Sequence, residues 1–327
     1  MGLRRKDLIA AFKNRELRIG VLMGGFSSER DVSLRSGAAV VKALQSAGHA
    51  VEAIDVKSRR APALSSGRFG CFFIALHGKF GEDGELQSIL EKKRIPFTGS
   101  GSRSSRLAMD KFATKRAFIR ERVPTPPYTF LKRNDRRLPS GFALPVVIKP
   151  RAEGSSVGVS IVESASELGP ALTEARRYDA DVLAERFVRG REVTVGILGA
   201  RSLPVIELRP KRKFFDFTAK YTDPETEYIV DPAMPAGVKA AAQRLGLKAH
   251  RALGCEGFSR VDLIVAGAPA AGGAQISAAA RKNRRAGAAW KLSGGASGPA
   301  IVVLEVNSIP GMTERSLVPK AARAAGI

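Results

Sequence analysis

Between residues 18 and 98 the chain alternates short apolar runs with amphipathic ones, and that alternation admits few folds. RIGVLMGG (18–25) is a β-rich run that ends in paired glycines. Residues 33–47 follow with helical spacing of Leu34, Val40, Val41 and Leu44, and Gly48 closes the segment. VEAIDV (51–56) and CFFIAL (71–76) read as further strands, GELQSILEKK (84–93) as a helix, and 95–98 as strand-like. The order β-α-β-β-α-β predicts a parallel sheet flanked by helices, an α/β unit.

The pattern then changes. Residues 102–122 read as one helix, ended by Pro124, Pro126 and Pro127. Strands dominate from there, at 146–149, 159–162, 182–186, 192–198 and 203–209, with one helix at 166–178. A last portion has a helix at 236–253, strands at 259–265 and 301–306, and a terminal helix from Ser316. The whole is α/β at its start and α+β overall, with no internal repeat. The expected division is a basic leader (1–17), then units at 18–101, 102–187 and 188–327. Residues 267–299 stand apart. They are rich in Ala and Gly and hold five Lys/Arg and no acid, which predicts a flexible insertion between two strands. A helical flap over 276–290 is the alternative.

A hydrophobic share of 44% and a charged share of 26% over 327 residues exclude wholesale disorder and a fibre. The formal charge of +23 makes polyanions or a phosphorylated substrate worth weighing. Aromatics amount to only 6%, which argues against nucleic-acid binding by base stacking. Cys71 and Cys255 have no CxxC partner and read as reduced, structural thiols. The apolar stretch 8–12 breaks at Lys13, too soon for a secretory signal, and no run is long enough to span a membrane. A cytoplasmic protein is expected.

Four clusters carry chemistry. MGGFSSERDVSL (23–34) is a glycine turn running into a helix start, where free N–H groups can meet an anion. Its GGxxxE spacing is not the GxGxxG of a dinucleotide fold, although Asp55 ends the next strand as an acid would there. A merely solvated helix start remains the alternative. LHGKFGEDGELQ (76–87) follows a buried strand, so His77 is either a ligand-facing donor or a hydrogen-bonded loop histidine. VVIKPRAEGSSVGVSIV (146–162) sets Lys149 at a strand end before a Gly/Ser loop, which suits phosphate gripping or a simple hairpin. The last is the strand pair SRVDLIV and VLEVNSIPGMT. Glu305 and Asn307 are two apart and leave the same strand face, and with Asp262 they form an oxygen set suited to Mg²⁺.

With these motifs in order, the chain resembles the D-alanine–D-alanine ligases of the ATP-grasp superfamily over roughly 18–326. The motifs are GGFSSERDVSL, ALHGKFGEDG, TGSG, MDK, IKPRAEGSSVG, FDFTAKY, SRVD and LEVNSIPGMTERSLVP. The resemblance implies an N-terminal substrate-binding domain and two ATP-grasp subdomains that sandwich ATP. It implies ATP-dependent joining of two D-alanines through an acyl phosphate, for peptidoglycan precursor synthesis. It implies Mg²⁺ as two ions, with Mn²⁺ the alternative, and a homodimer. By motif, Lys111 and Lys149 correspond to phosphate contacts, Glu185 to the reader of the adenine amine, and Val188 to a backbone contact with its ring. Glu192 corresponds to the ribose contact, and Glu153 and Ser156 to the loop closing on the phosphates. Asp262, Glu305 and Asn307 correspond to the metal ligands. Arg260 and the backbone near Gly311 correspond to the oxyanion donors. Glu29, beside His77, corresponds to the holder of the first ammonium, Ser155 and Tyr221 to its triad partners, Ser316 to the second carboxylate contact, and Lys220 to the transferring phosphate. Arg315 stands where the family often has histidine. The AKY tripeptide favours an amine acceptor over the D-lactate of ester-forming relatives.

Overall fold

The computed structural model describes residues 17–59, 64, 67–209, 226–267 and 300–327. Residues 1–16 of the leader, the FDFTAKY segment with Lys220 and Tyr221, and residues 268–299 of the insertion lie outside the described residues.

The first sheet is parallel, with β1 (Arg18–Gly24) between β2 (Ala50–Val56) and β3 (Cys71–Ile74). A parallel bridge from Phe72 to Phe97 adds the expected strand-like stretch at its edge. Helix α1 (Arg30–Ser46) buries Val32, Ser36, Gly37 and Val40 against this sheet. Gly37 allows the close approach, since a Cβ there would lie 2.4 Å from Met23 Sδ. At the turn between them, Gly24 adopts φ 81°. A Cβ at Gly24 would meet Asp55 Oδ1 at 2.1 Å, so only glycine fits. Arg30 grips that carboxylate at 2.8 and 2.7 Å. Asp55 is therefore part of a structural fork with Arg30 rather than an open acid at the strand end. Helix α2 (Glu85–Lys92) closes the unit over Leu86 and Leu90.

The expected helix over 102–122 is two helices, α3 (Ser102–Met109) and α4 (Lys111–Arg120). Asp110 breaks it. Its backbone is extended, and its carboxylate accepts from Phe112 N and Ala113 N as the N-cap of α4. Next comes an antiparallel sheet of β4 (Tyr128–Leu131), β5 (Val146–Pro150), β6 (Ser160–Val162) and β7 (Val182–Arg186), in the order β4-β7-β5-β6. Helix α5 (Ala165–Ala175) packs Ala171 and Leu172 on Val146, Ile148 and Val182.

The third sheet, also antiparallel, runs β10-β9-β8-β11-β12, from β8 (Gly190–Leu198), β9 (Arg201–Arg209), β10 (Glu227–Val230), β11 (Phe258–Ala266) and β12 (Ala300–Asn307). Helix α6 (Ala236–Ala252) and Phe118 of α4 cover Val193, Val195, Val261 and Val303. Helix α7 (Leu317–Ala324) packs Leu317 and Val318 on Leu203 and Ile206. Both cysteines are free, and burial pushes each thiol up to about 11. None of the described helices is long and apolar enough to cross a membrane.

On α6, buried His250 meets Ser259 Oγ at 2.7 Å. Burial, with Arg251 adding to it, lowers the imidazole to about 4. Its folded value lies below the ordinary value of about 6.5, so between these limits the unfolded chain binds more protons. Stability is then full above about pH 6.5 and falls as pH drops towards 4, by about 3 kcal/mol from this group. Thermal unfolding of wild type and His250→Gln across pH 4–7 checks this: the variant should lose most of the acid sensitivity in that window.

Candidate active site

The three sheets meet at a narrow cleft with room of about 60 Å³. Its lining includes Glu29, His77, Lys111, Glu153, Ser155, Arg260, Glu305, Asn307 and Gly311. Residues as far apart in the chain as Glu29 and Gly311 thus share one cavity, because glycine turns and strand ends of all three units point into it.

On the first wall, Glu29 precedes α1 and is 7% exposed. Its carboxylate accepts a short hydrogen bond from Ser155 Oγ, across the cleft from the middle unit. Ser27 Oγ donates to His77 O at 2.8 Å, tying the two glycine-rich segments together. The His77 ring spans Glu82 Oε1 and Ser36 Oγ, each at 3.2 Å. Ser36 Oγ also accepts from Met312 N at 3.2 Å, which links α1 to the loop after β12. Burial opposes the imidazolium, but the carboxylates of Glu82 and Glu29 outweigh it and raise His77 above its ordinary value. His77 is both a hydrogen-bonded loop residue and a cleft residue.

On the second wall, the loop 153–158 holds Ser155 at φ 52° and Ser156 at φ 60°. Two adjacent serines in the left-handed region cost on the order of 1 kcal/mol each, and Lys111 Nζ donates to Glu153 O at 2.5 Å to brace the loop. The strand before it delivers Lys149, whose Nζ lies 2.5 Å from Glu185 Oε2. Glu185 is 1% exposed and its other oxygen meets Lys115 Nζ. Burial alone would raise the Glu185 carboxyl, but the two ammonium groups hold it below the usual carboxylate range. Val188 lies in the short link from β7 to β8, and Glu192 on β8 acts electrostatically on Lys149.

The third wall is the pair β11–β12. Register sets Asp262 opposite Glu305 and Arg260 opposite Asn307, so all four side chains share one sheet face. Arg260 forks onto Asp262 at 2.9 and 2.8 Å, and Thr194 Oγ1 donates to Asp262 at 2.9 Å. Asn307 Oδ1 accepts from Ile309 N at 3.0 Å. Two carboxylates facing each other beside an amide oxygen form a hard-oxygen donor set, with Arg260 already balancing the charge of Asp262. The residues present fit a magnesium ion. Beyond β12, Ser316 Oγ accepts from Thr313 N at 3.0 Å. A Cβ on Gly311 would approach Ser316 Oγ to 2.8 Å, so Ser316 sits directly behind the cleft-lining glycine.

Of the residues expected from sequence, only Lys220 and Tyr221 lie outside the described residues. Glu82, Ser36, Thr194 and Lys115 were missed. Glu82 lies inside the GEDG motif, and Lys115 is one turn beyond Lys111 on α4, on the face that also buries Phe112 and Phe118.

Residues 120–271 match the family described as D-ala D-ala ligase C-terminus. The chain is 45% identical over 312 residues to the D-alanine–D-alanine ligase of Geotalea uraniireducens, covering 95% of this chain and 91% of that protein. It is 44% identical to the D-alanine–D-alanine ligase of Geobacter sulfurreducens, covering 93% and 88%. The crystal structure of D-alanine–D-alanine ligase from Bacillus anthracis complexed with ATP superposes with a TM-score of 0.75 at 31% identity, covering 95% of this chain and 92% of that one.

Proposed function

Because the chain belongs to the D-alanine–D-alanine ligase family, we propose that its cleft joins two D-alanines to D-alanyl-D-alanine at the expense of ATP, for peptidoglycan precursors. The observation that carries this reading is the convergence on one cavity of Glu29 and Ser155, the braced serine loop, and Glu305 and Asn307 of the strand that faces Asp262. A binding protein needs no such meeting of a cationic phosphate grip with an oxygen donor set.

In this reading each residue takes the role that the family resemblance gives it. Glu29, buried and held by Ser155, offers a carboxylate to the ammonium of the first D-alanine. Lys149 and Lys111 bring positive charge to the nucleotide phosphates, and the 153–158 loop supplies N–H and hydroxyl donors above them. Glu185 accepts from the adenine amine, Val188 contacts the ring through its backbone, and Glu192 accepts from the ribose. The first carboxylate then attacks the γ-phosphorus to give an acyl phosphate and ADP. The amine of the second D-alanine attacks the acyl carbon, and phosphate leaves. Arg260 and the backbone at Gly311 face the oxygen that gains charge in that step. Ser316 receives the second carboxylate. Lys220 and Tyr221 complete the phosphate and triad contacts. Magnesium held by Asp262, Glu305 and Asn307, with manganese as the alternative, would neutralise charge on the transferring phosphoryl group. The reading also includes a homodimer acting in the cytoplasm, where free ATP is available.

Phosphate release from ATP tests the reading when D-alanine, L-alanine and D-lactate are each offered as the second substrate, with D-alanine first. Release should need D-alanine in both places. Equal release with D-lactate would shift the assignment to ester formation, and release independent of any amino acid would remove it.

A second expectation concerns the loop grip. Ser155→Ala removes the hydrogen bond to Glu29 and should raise the KM for D-alanine at least tenfold while changing the KM for ATP less than threefold. Initial rates with each substrate varied in turn separate the two.

A further inference from the structure

Lys115 is 1% exposed, and the reaction described above does not use it. Its Nζ contacts three acceptors from three different parts of the chain. They are Glu185 Oε1 on β7, Thr125 Oγ1 at 2.5 Å ahead of β4, and Leu304 O at 3.3 Å on β12. Thr125 gives its own proton to Val303 O at 2.8 Å, so its oxygen is an acceptor toward the lysine. Burial lowers the Lys115 ammonium below its ordinary value, with Glu185 and Glu305 opposing and Lys149 adding to that fall. An ammonium has three protons and no lone pair, and here each proton has a destination, so the charged form is the one this geometry accommodates. The second lysine on Glu185 differs. The Lys149 side chain is 13% exposed against 2% for Lys115, and it stands at the end of β5, directly before the serine loop.

We propose that Lys115 is the permanent counter-ion of the adenine-reading carboxylate, a positioning residue that keeps Glu185 charged and oriented when Lys149 leaves it for the nucleotide phosphates. This rests on the reading of Glu185 and Lys149 given above. Lys149 Nζ cannot sit at 2.5 Å from Glu185 and also hold a phosphate with full strength. Its departure frees Oε2, the oxygen then available to the adenine amine. A fully buried carboxylate whose only cation departs is strongly disfavoured, so the exchange is feasible because Lys115 stays. Its contact with Leu304 O also fixes the base reader relative to the backbone next to Glu305, so base and phosphoryl group are placed by one framework.

Adenine offers an amine donor to Glu185, whereas hypoxanthine offers a carbonyl oxygen that a carboxylate cannot bond. The preference for ATP over inosine triphosphate therefore reports on Glu185 itself. Equilibrium binding of each nucleotide, with Mg²⁺, is measured on the full chain as wild type, Lys115→Met and Thr125→Val. Lys115→Met should weaken ATP binding at least tenfold and inosine triphosphate binding less than threefold, so that the preference collapses. Thr125→Val, which removes one anchor at nearly constant volume, should lower the preference at least threefold, and it decides the matter if Lys115→Met does not fold. A folded Lys115→Met protein with the wild-type preference overturns the proposal. So does an unchanged preference in Thr125→Val when that variant alone is folded. Phosphate release by the wild type with D-alanine is followed in parallel. Its absence would count against the ligase reading, while the nucleotide preferences still judge Lys115.

Discussion

Glu305→Gln should leave the protein folded and lower turnover at least a hundredfold. Glu305 lies directly opposite Asp262 across β11 and β12 and lines the cleft with Asn307. The amide has nearly the same shape, and its position on a strand packed through Val303 and Val306 is unchanged. What is lost is one negative charge from the donor set that would hold magnesium, at the point where phosphoryl charge develops. Loss of one preorganised electrostatic contact costs about 3 kcal/mol in the transition state, which is about two orders of magnitude in rate. Turnover at saturating Mg²⁺ and ATP, read beside the melting temperature, tests this. A folded variant with near-wild-type turnover would show that the metal lies elsewhere.

Arg260→Met should be as damaging, for a different reason. The guanidinium binds both oxygens of Asp262 and also faces the cleft. Its removal takes a fixed donor from the tetrahedral oxygen, again worth about 3 kcal/mol, and leaves Asp262 facing Glu305 with only Thr194 as a described hydrogen-bond donor. Turnover should fall a hundredfold or more and the Mg²⁺ requirement should change with it. Arg260→Lys should recover little, since an ammonium keeps the charge but not the two-pronged geometry. A lysine variant with more than a third of wild-type turnover would reduce Arg260 to a charge partner of Asp262.

The parts of the fold that were legible in the sequence are those whose burial repeats along the chain. RIGVLMG and CFFI are read from continuous apolar runs because a parallel strand is covered on both faces, and α6 from its spacing. The strands β4 and β10 were not foreseen. Both are short sheet-edge strands, in which Tyr128, Thr129 and Phe130, like Tyr228, Ile229 and Val230, are only half-buried, so neither carries a clean alternation. The break at Asp110 is hidden because the helical spacing continues on both sides, although an aspartate ahead of an apolar turn is an N-cap signal. At the site, Glu29, Lys149 and the Asp262–Glu305–Asn307 set were legible as local motifs. Lys115 was not, since a lysine in the basic run KFATKR looks solvated, and its partner is 70 residues away. Pairing at that range depends on how the sheets meet, which no local pattern records.

In the acyl-phosphate route a carboxylate oxygen of the first D-alanine ends up in the released phosphate. Both carboxylate oxygens of D-alanine can be labelled with oxygen-18 and the released inorganic phosphate analysed by mass after turnover with ATP and Mg²⁺. The acyl-phosphate route predicts one labelled oxygen in each phosphate, in step with one D-alanyl-D-alanine formed. Unlabelled phosphate accompanying dipeptide formation would mean that the γ-phosphate passes to water or to the protein instead, and would contradict the account.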